Sequence, residues 1–282
     1  MSIRIVTDST SDLPPQVVSD LGITVVPCYL NFGQESYLDG IEITKHQFYS
    51  ELKRNQIHPT TSAPNVHAFK KVYQDLIASG ASEIISIHVP EKFSSIINAA
   101  RQASKSIRSV NVSVFDSGQL SLGTGFMAAA AAKATALGKS SEDIVKLLLN
   151  MVKNTYTFAV LDTLDYLRKS GRLSQFKYKM GMLLDIKPLI ILHKGELKLD
   201  VVRTNLKAVN RLLDRVRGLG PLEQMAVLHL DAPDKAAALC KKVSNLVSKS
   251  REIIIEEATP VLGVHLGPGA VGTVCVRSTL LS

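Results

Sequence analysis

Apolar and polar positions alternate from the start of the chain. Residues 3–7 (Ile-Arg-Ile-Val-Thr) carry the two-residue period of a strand and stop at Asp8-Ser9-Thr10-Ser11-Asp12, which offers N-caps to a helix starting near Pro14. An apolar run over residues 23–30 predicts the next strand, so strand, capped helix and strand open the chain as a βαβ unit. Asp39-Gly40 marks a turn, Thr44 caps a helix over residues 45–55, and residues 56–64 read as a loop that concentrates three hydroxyls in Thr60-Thr61-Ser62. Asn65 caps a helix to residue 79. Residues 83–89 form a strand, 94–107 a helix, 111–115 a strand and 119–137 an alanine-rich helix. Ser141 caps a further helix reaching residue 155.

Beyond that point the pattern changes. Residues 156–161 read as a strand, 163–169 as a short helix, and 186–193 with 196–202 as a hairpin about Lys194-Gly195. A helix from Arg203-Thr204-Asn205 to Gly218 follows, then a strand (224–230), a helix (233–247), a strand (253–257) and a last strand (272–276). Residues 261–272, Val-Leu-Gly-Val-His-Leu-Gly-Pro-Gly-Ala-Val-Gly, read as an apolar run turning into a loop, with His265 delivered just before Gly-Pro-Gly. The fold class is α/β: an N-terminal α/β domain with a parallel sheet over residues 1–155, and a C-terminal α+β domain over residues 156–282.

Composition narrows the function. The chain has 282 residues, 45% hydrophobic and 21% charged, the balance of a folded two-domain protein. The longest apolar candidate, residues 125–136, is too short to span a bilayer, and residues 1–6 read into a strand without signal-peptide architecture, so a cytoplasmic protein is expected. Cys28, Cys240 and Cys275 have no metal spacing, and the seven histidines contain no H-x-x-H or H-E-x-x-H pattern. Net charge is +8, with basic clusters over residues 168–179, 203–217 and 241–251. Nucleic acid is a poor match, because aromatics are 5% of the chain and tryptophan is absent.

Two stretches place hydroxyls where a helix begins: Thr60-Thr61-Ser62 and Lys92-Phe93-Ser94-Ser95. Free backbone amides and the helix dipole favour an anion there; a plain cap is the structural alternative for Ser94, and a turn residue for Thr61. Asp116-Ser117-Gly118 with Gly123 and Gly125 lacks the Walker lysine and the G-x-G-x-x-G spacing, so those glycines are assigned to helix packing. Asp8, Asp12 and Asp39 lie in turns, and Asp162, Asp165 and Asp185 lie near Arg168–Arg172. A hydrolase or acyltransferase built from Ser94, His265 and an aspartate is the competing reading, although no G-x-S-x-G elbow exists.

Several motifs occur in a telling order: Ile5-Val-Thr-Asp8-Ser9-Thr-Ser-Asp-Leu-Pro14, Thr61-Ser62-Ala-Pro64, Val114-Phe-Asp116-Ser117, Leu164-Asp-Tyr-Leu-Arg-Lys-Ser-Gly171-Arg172-Leu-Ser174, Lys187-Pro188-Leu-Ile, Val202-Arg203-Thr204 and His265-Leu-Gly267-Pro268-Gly269. Together they resemble the DegV family of bacterial fatty-acid-binding proteins, almost end to end. The resemblance implies two domains holding a long-chain fatty acid between them, its tail in an apolar tunnel and its carboxylate fixed by Thr61, Ser94 and His265, the last as a candidate imidazolium. Ser62, Ser95, Arg172 and Arg203 are further head-group or partner contacts. One departure is visible: Phe93-Ser94-Ser95-Ile96 stands where the family has Leu-Ser-Gly-Thr. The resemblance also implies a carrier with no catalytic residue, cofactor or metal of its own, which presents the acid to a separate fatty acid kinase subunit for acyl phosphate formation.

Overall fold

The computed structural model describes residues 2–54, 57–175, 186–247 and 252–278. Asn55, Gln56, Asp185 and the basic positions Lys177, Lys179, Lys249 and Arg251 of the sequence reading lie outside the described residues. The first half contains β1 (Ile3–Asp8), α1 (Pro15–Asp20), β2 (Thr24–Val26), β3 (Tyr29–Phe32), β4 (Glu35–Leu38), α2 (Lys45–Arg54), β5 (Thr60–Ser62), α3 (Val66–Ala78), β6 (Glu83–His88), α4 (Ile96–Lys105), β7 (Asn111–Asp116), α5 (Leu122–Ala136) and α6 (Ser141–Asn154). The second contains β8 (Thr155–Val160), α7 (Asp165–Lys169), β9 (Lys187–His193), β10 (Glu196–Val202), α8 (Asn205–Arg217), β11 (Leu222–His229), α9 (Pro233–Val243), β12 (Ile254–Glu257), α10 (Pro260–Leu266) and β13 (Val271–Arg277).

Strands β2-β1-β6-β7 form an all-parallel sheet, with Val6 opposite both Thr24 and Ser86. Its central strands β1 and β6 are buried almost throughout on both faces, as parallel strands covered by helices must be, although half of their residues are polar. Strands β10-β9-β8-β13-β11-β12 form a second sheet, antiparallel except for the β11–β12 pair. A small antiparallel sheet, β4-β3-β5, lies apart from both.

Helix α5 joins the two large sheets. It contacts β1 and β6 of one and β8 and β13 of the other. Its sequence, Leu-Gly-Thr-Gly-Phe-Met-Ala-Ala-Ala-Ala-Ala-Lys-Ala-Thr-Ala, has no polar face, the pattern of a helix covered on all sides. Its small residues allow that approach, as expected of Gly123 and Gly125: a Cβ on Gly125 would lie 2.5 Å from the Ser11 carbonyl oxygen. The buried apolar clusters also ignore the midpoint of the chain. Ile3, Ile85 and Met127 pack in one cluster with Leu228 and Val274, and Val6, Leu30 and Phe69 in another with Leu161, Val261 and Val264.

The structure departs from the sequence reading in several places. The apolar run at 23–30 is two strands in different sheets, because Pro27 between them has no N–H for a ladder. Thr60–Ser62 is not loop but β5, paired with β3 so that Leu30 faces Thr61. β4 follows a turn at Gly33 that the reading passed over. Helices α4 and α5 start at Ile96 and Leu122, two and three residues later than expected; Ser121, just before α5, has a left-handed φ of 55°. Residues 260–266 form helix α10, not a strand-to-loop turn: Thr259 is its N-cap, Pro260 its first residue and Gly267, φ 79°, its stop.

Gly125→Ala tests the seam. Alanine gains about 1 kcal/mol of helix propensity, but the Ser11 carbonyl is backbone and cannot swing aside, so the typical overpacking cost of ~1–3 kcal/mol governs. The urea midpoint is expected to fall; a midpoint at or above wild type would contradict the close fit.

Candidate functional site

A cavity of about 150 Å³ lies where the halves meet, many times the ~10–15 Å³ that one water needs. Its walls are mostly apolar: Phe158 and Ala159 of β8, Ile190 and Leu192 of β9, Leu228 of β11, and Val261 and Leu262 of α10. Thr61, Ser62, Ser94 and Arg172 line both this cavity and an adjoining surface cleft, which adds Asn65, Ser95, Asn98 and Gln102. The shared residues mark the mouth.

Local structure aims each polar group. On β5 the pleat alternates: the Asn31 amide donates to Ser62 Oγ at 3.0 Å on one face, so Thr61 points the other way and its Oγ1 meets His265 Nε2 at 3.1 Å. Ser94 follows a tight turn in which the amides of Phe93 and Ser94 donate to the Pro90 carbonyl at 2.9 and 3.3 Å. Its Oγ accepts from the Ile96 amide at 3.4 Å, the capping role considered for it, while its residue still borders the cavity. Arg172 donates to the Ser170 carbonyl at 2.8 Å, and among the described residues no carboxylate pairs with it.

His265 is half-buried at the C-terminal end of α10, and its buried Nδ1 has no partner among the described residues. Burial, then the nearby Arg172 guanidinium and His58, depress its pKa from 6.5 to about 3. The sequence leaves the charge of His265 open; burial beside an arginine favours the neutral ring near pH 7, because a desolvated cation next to a like charge is doubly disfavoured. Two aromatic groups brace the helix end. Tyr166 packs flat where a side chain on Gly267 would be, and His58 bonds the Val264 carbonyl while lying 5.7 Å from the Tyr166 ring.

No hydrogen bond joins Ser94 to His265 among the described residues, so the nucleophile–base pair of a hydrolase is not assembled there. A Ser-His-Asp relay does exist elsewhere. Asp8 Oδ2 lies 2.7 Å from His88 Nδ1, His88 Nε2 lies 2.7 Å from Ser86 Oγ, and the Tyr73 hydroxyl donates to Ser86 at 2.9 Å. All four residues are 0% exposed, which removes the relay from any substrate. Among the described residues no group of three His, Cys, Asp or Glu side chains is placed for a metal, and no helix is long and apolar enough to cross a membrane.

The family model of DegV, described as an uncharacterised protein family, matches residues 2–278. The chain belongs to the DegV family. A DegV domain-containing protein of Streptomyces coelicolor is 35% identical over 277 residues, 96% of this chain and 97% of that protein. Among solved structures, a DegV family protein from Thermus thermophilus described for its fatty acid binding superposes with a TM-score of 0.90 at 30% identity, covering 99% of this chain and 100% of its own. DegV of Bacillus subtilis, described as a fatty acid binding protein, superposes with a TM-score of 0.89 at 31% identity over 98% of this chain and 100% of its own.

Within this DegV fold, Thr61, Ser62, Ser94, Arg172 and His265 all line the cavity, Ser62 with its hydroxyl held by Asn31 on the opposite face of β5, and Ser95 borders the outer cleft. Arg203 does not join them; it is exposed between β10 and α8 and lines neither space. The sequence does not mark His58 and Tyr166 as braces, and it places Asp12 in a capping loop and Asp39 in a turn, whereas α1 has no side-chain cap and both carboxylates bond Thr259. A Tyr placed to cover a glycine 101 residues later leaves no mark in local pattern.

A neutral buried histidine has a pH signature. Its folded pKa is below the ordinary value, so its contribution to stability is present above pH 6.5 and is lost as pH falls toward 3. Wild type should lose urea stability between pH 6.5 and 4 more steeply than His265→Gln. Parallel pH profiles would show that the imidazole is not held neutral by the fold.

Proposed function

We propose that this protein binds one long-chain fatty acid, tail in the cavity and carboxylate at the mouth, and presents it to a separate kinase that forms the acyl phosphate. The observation that carries the reading is a mostly apolar cavity ending in the Thr61–His265 pair, with Ser94 and Arg172 beside it. The fatty acid binding described for the Thermus thermophilus and Bacillus subtilis proteins supports it. In this reading residues 1–155 and 156–282 are two domains with the ligand between them, in the cytoplasm, where three free cysteines are at home.

Energies divide the labour. A chain of about sixteen carbons buries about fourteen methylenes, worth ~0.8 kcal/mol each or ~11 kcal/mol before the costs of association. A buried carboxylate left without donors would forfeit several kcal/mol of this. Thr61 and Ser94 hydroxyls supply those donors, neutral His265 orients Thr61, and Arg172 provides the compensating charge. Ser62 and Ser95 line the rim. The Asp116–Gly118 turn is spoken for in another way: Gly195 donates to the Gly118 carbonyl at 2.8 Å, so this turn packs on the β9–β10 hairpin. The kinase reading rests on the resemblance of the sequence, and Arg203, exposed and remote from the cavity, is assigned to that partner's surface.

Native mass spectrometry of purified protein should show stoichiometric free fatty acid; turnover of an acyl ester that vanishes in Ser94→Ala would favour the hydrolase instead. On delipidated protein, Thr61→Ala and Ser94→Ala should each weaken fatty acid binding by roughly 1.5–3 kcal/mol, about ten- to 150-fold in Kd. Unchanged affinity in both single variants and in the double variant refutes the head-group assignment. Arg203→Glu should leave fatty acid affinity intact and lower acyl phosphate formation by the cognate kinase; an unchanged rate removes Arg203 from that role.

A further inference from the structure

Helix α10 has seven residues, less than two full turns, too short to hold its own direction. Its two ends do different things. His265 at the far end meets Thr61, while Thr259 at the near end is the N-cap, its Oγ1 accepting from the Val261 amide at 3.2 Å. A threonine cap needs nothing more. Here, however, both Thr259 donors run into buried carboxylates from the first half of the chain. Its amide donates to Asp12 Oδ1 at 2.6 Å and its hydroxyl to Asp39 Oδ2. Asp12 is held in turn by the Ser121 hydroxyl, from the residue that precedes α5. Thr259, Asp12 and Asp39 are 3, 6 and 4% exposed.

Stability is a poor reason for this arrangement. Two carboxylates taken out of water cost several kcal/mol, and apolar residues of similar size commonly serve a core as well or better. Burial pushes the Asp12 carboxyl up to about 7 and raises Asp39 as well. What the arrangement does provide is direction. Two loops, after β1 and after β4, fix one end of α10, and about 9 Å along it, at 1.5 Å per residue, stands His265.

Resting on the head-group reading above, we infer that Asp12 and Asp39 are positioning residues for the fatty acid site: through Thr259 they set α10 so that His265 meets Thr61 at the cavity mouth. They touch no ligand. Their effect on binding passes through the imidazole.

A double-variant cycle on delipidated full-length protein tests this, with palmitic acid as the probe. Thr259→Val keeps the side-chain shape and deletes the hydroxyl, removing both the bond to Asp39 and the cap on the Val261 amide; it should weaken palmitate about three- to tenfold. His265→Ala should weaken it at least as much. The double variant should bind no more weakly than His265→Ala alone, within about twofold, because the capping group has nothing left to position. Losses that multiply overturn the inference while leaving the head-group reading standing; a His265→Ala protein with wild-type affinity overturns both. Palmitic acid methyl ester adds a readout that general destabilisation would not spare: its affinity should change less than twofold in Thr259→Val, and a loss equal to that of the acid overturns the inference. Should Thr259→Val not fold, Asp39→Leu, an apolar filler for the same space, is read in the same cycle against the same outcomes.

Discussion

An apolar helix with no polar side must bury most of its surface, and α5, exposed only at Lys133 and Ala136, does so by lying between two sheets built from different halves of the chain. Once it is covered, β1 and β6 on one side and β8 and β13 on the other have fixed relative places. The cavity lies in the space left beside this seam, and its apolar walls are the surfaces the halves turn toward one another. Residues separated by 204 positions, Thr61 and His265, then come within a hydrogen bond. Pulling the halves apart would expose clusters in which Met127, Leu228 and Val274 share one core.

The fold was legible in the sequence to the extent that each element answers to local chemistry. The parallel strands β1, β6 and β7, the caps Asn65 and Thr204, and the hairpin about Lys194-Gly195 are all written in alternation, capping side chains and turn residues. Where hydrophobicity alone was read, errors followed. The run at 23–30 conceals Pro27, which divides it between sheets. The run at 260–266 conceals a helix whose signals, Thr-Pro at the start and Gly at the stop, are present but whose seven residues have no polar face to show a helical period. That it is buried against α2, β3 and β5 explains the missing face, and burial of that kind is a tertiary fact.

The site was legible as a set of residues and illegible as an electrostatic object. Hydroxyls before helix starts and a histidine before Gly-Pro-Gly single themselves out by type and spacing. The charge on His265 does not, because it depends on how much water the fold excludes and on an arginine 93 residues away in the chain. The same holds for Asp12 and Asp39. In sequence they are ordinary turn residues, and only the arrival of Thr259 from 247 positions beyond Asp12 turns them into the seat of a helix. The Asp8–His88–Ser86 relay carries the converse lesson: good geometry for chemistry has no use where nothing can reach it.

The distances along the chain across which the site is stitched also bear on how it comes into being. Contacts spanning 204 and 247 residues close long loops, and loop closure of that span comes late in folding. The parallel sheet can form from residues already made, but the mouth cannot exist until α10 has emerged and docked. During synthesis the apolar face of α5 that ends against β8 and β13 must therefore be hidden by something other than those final neighbours. Docking of α10 and the strand β13 that follows it turns a collapsed chain into a container.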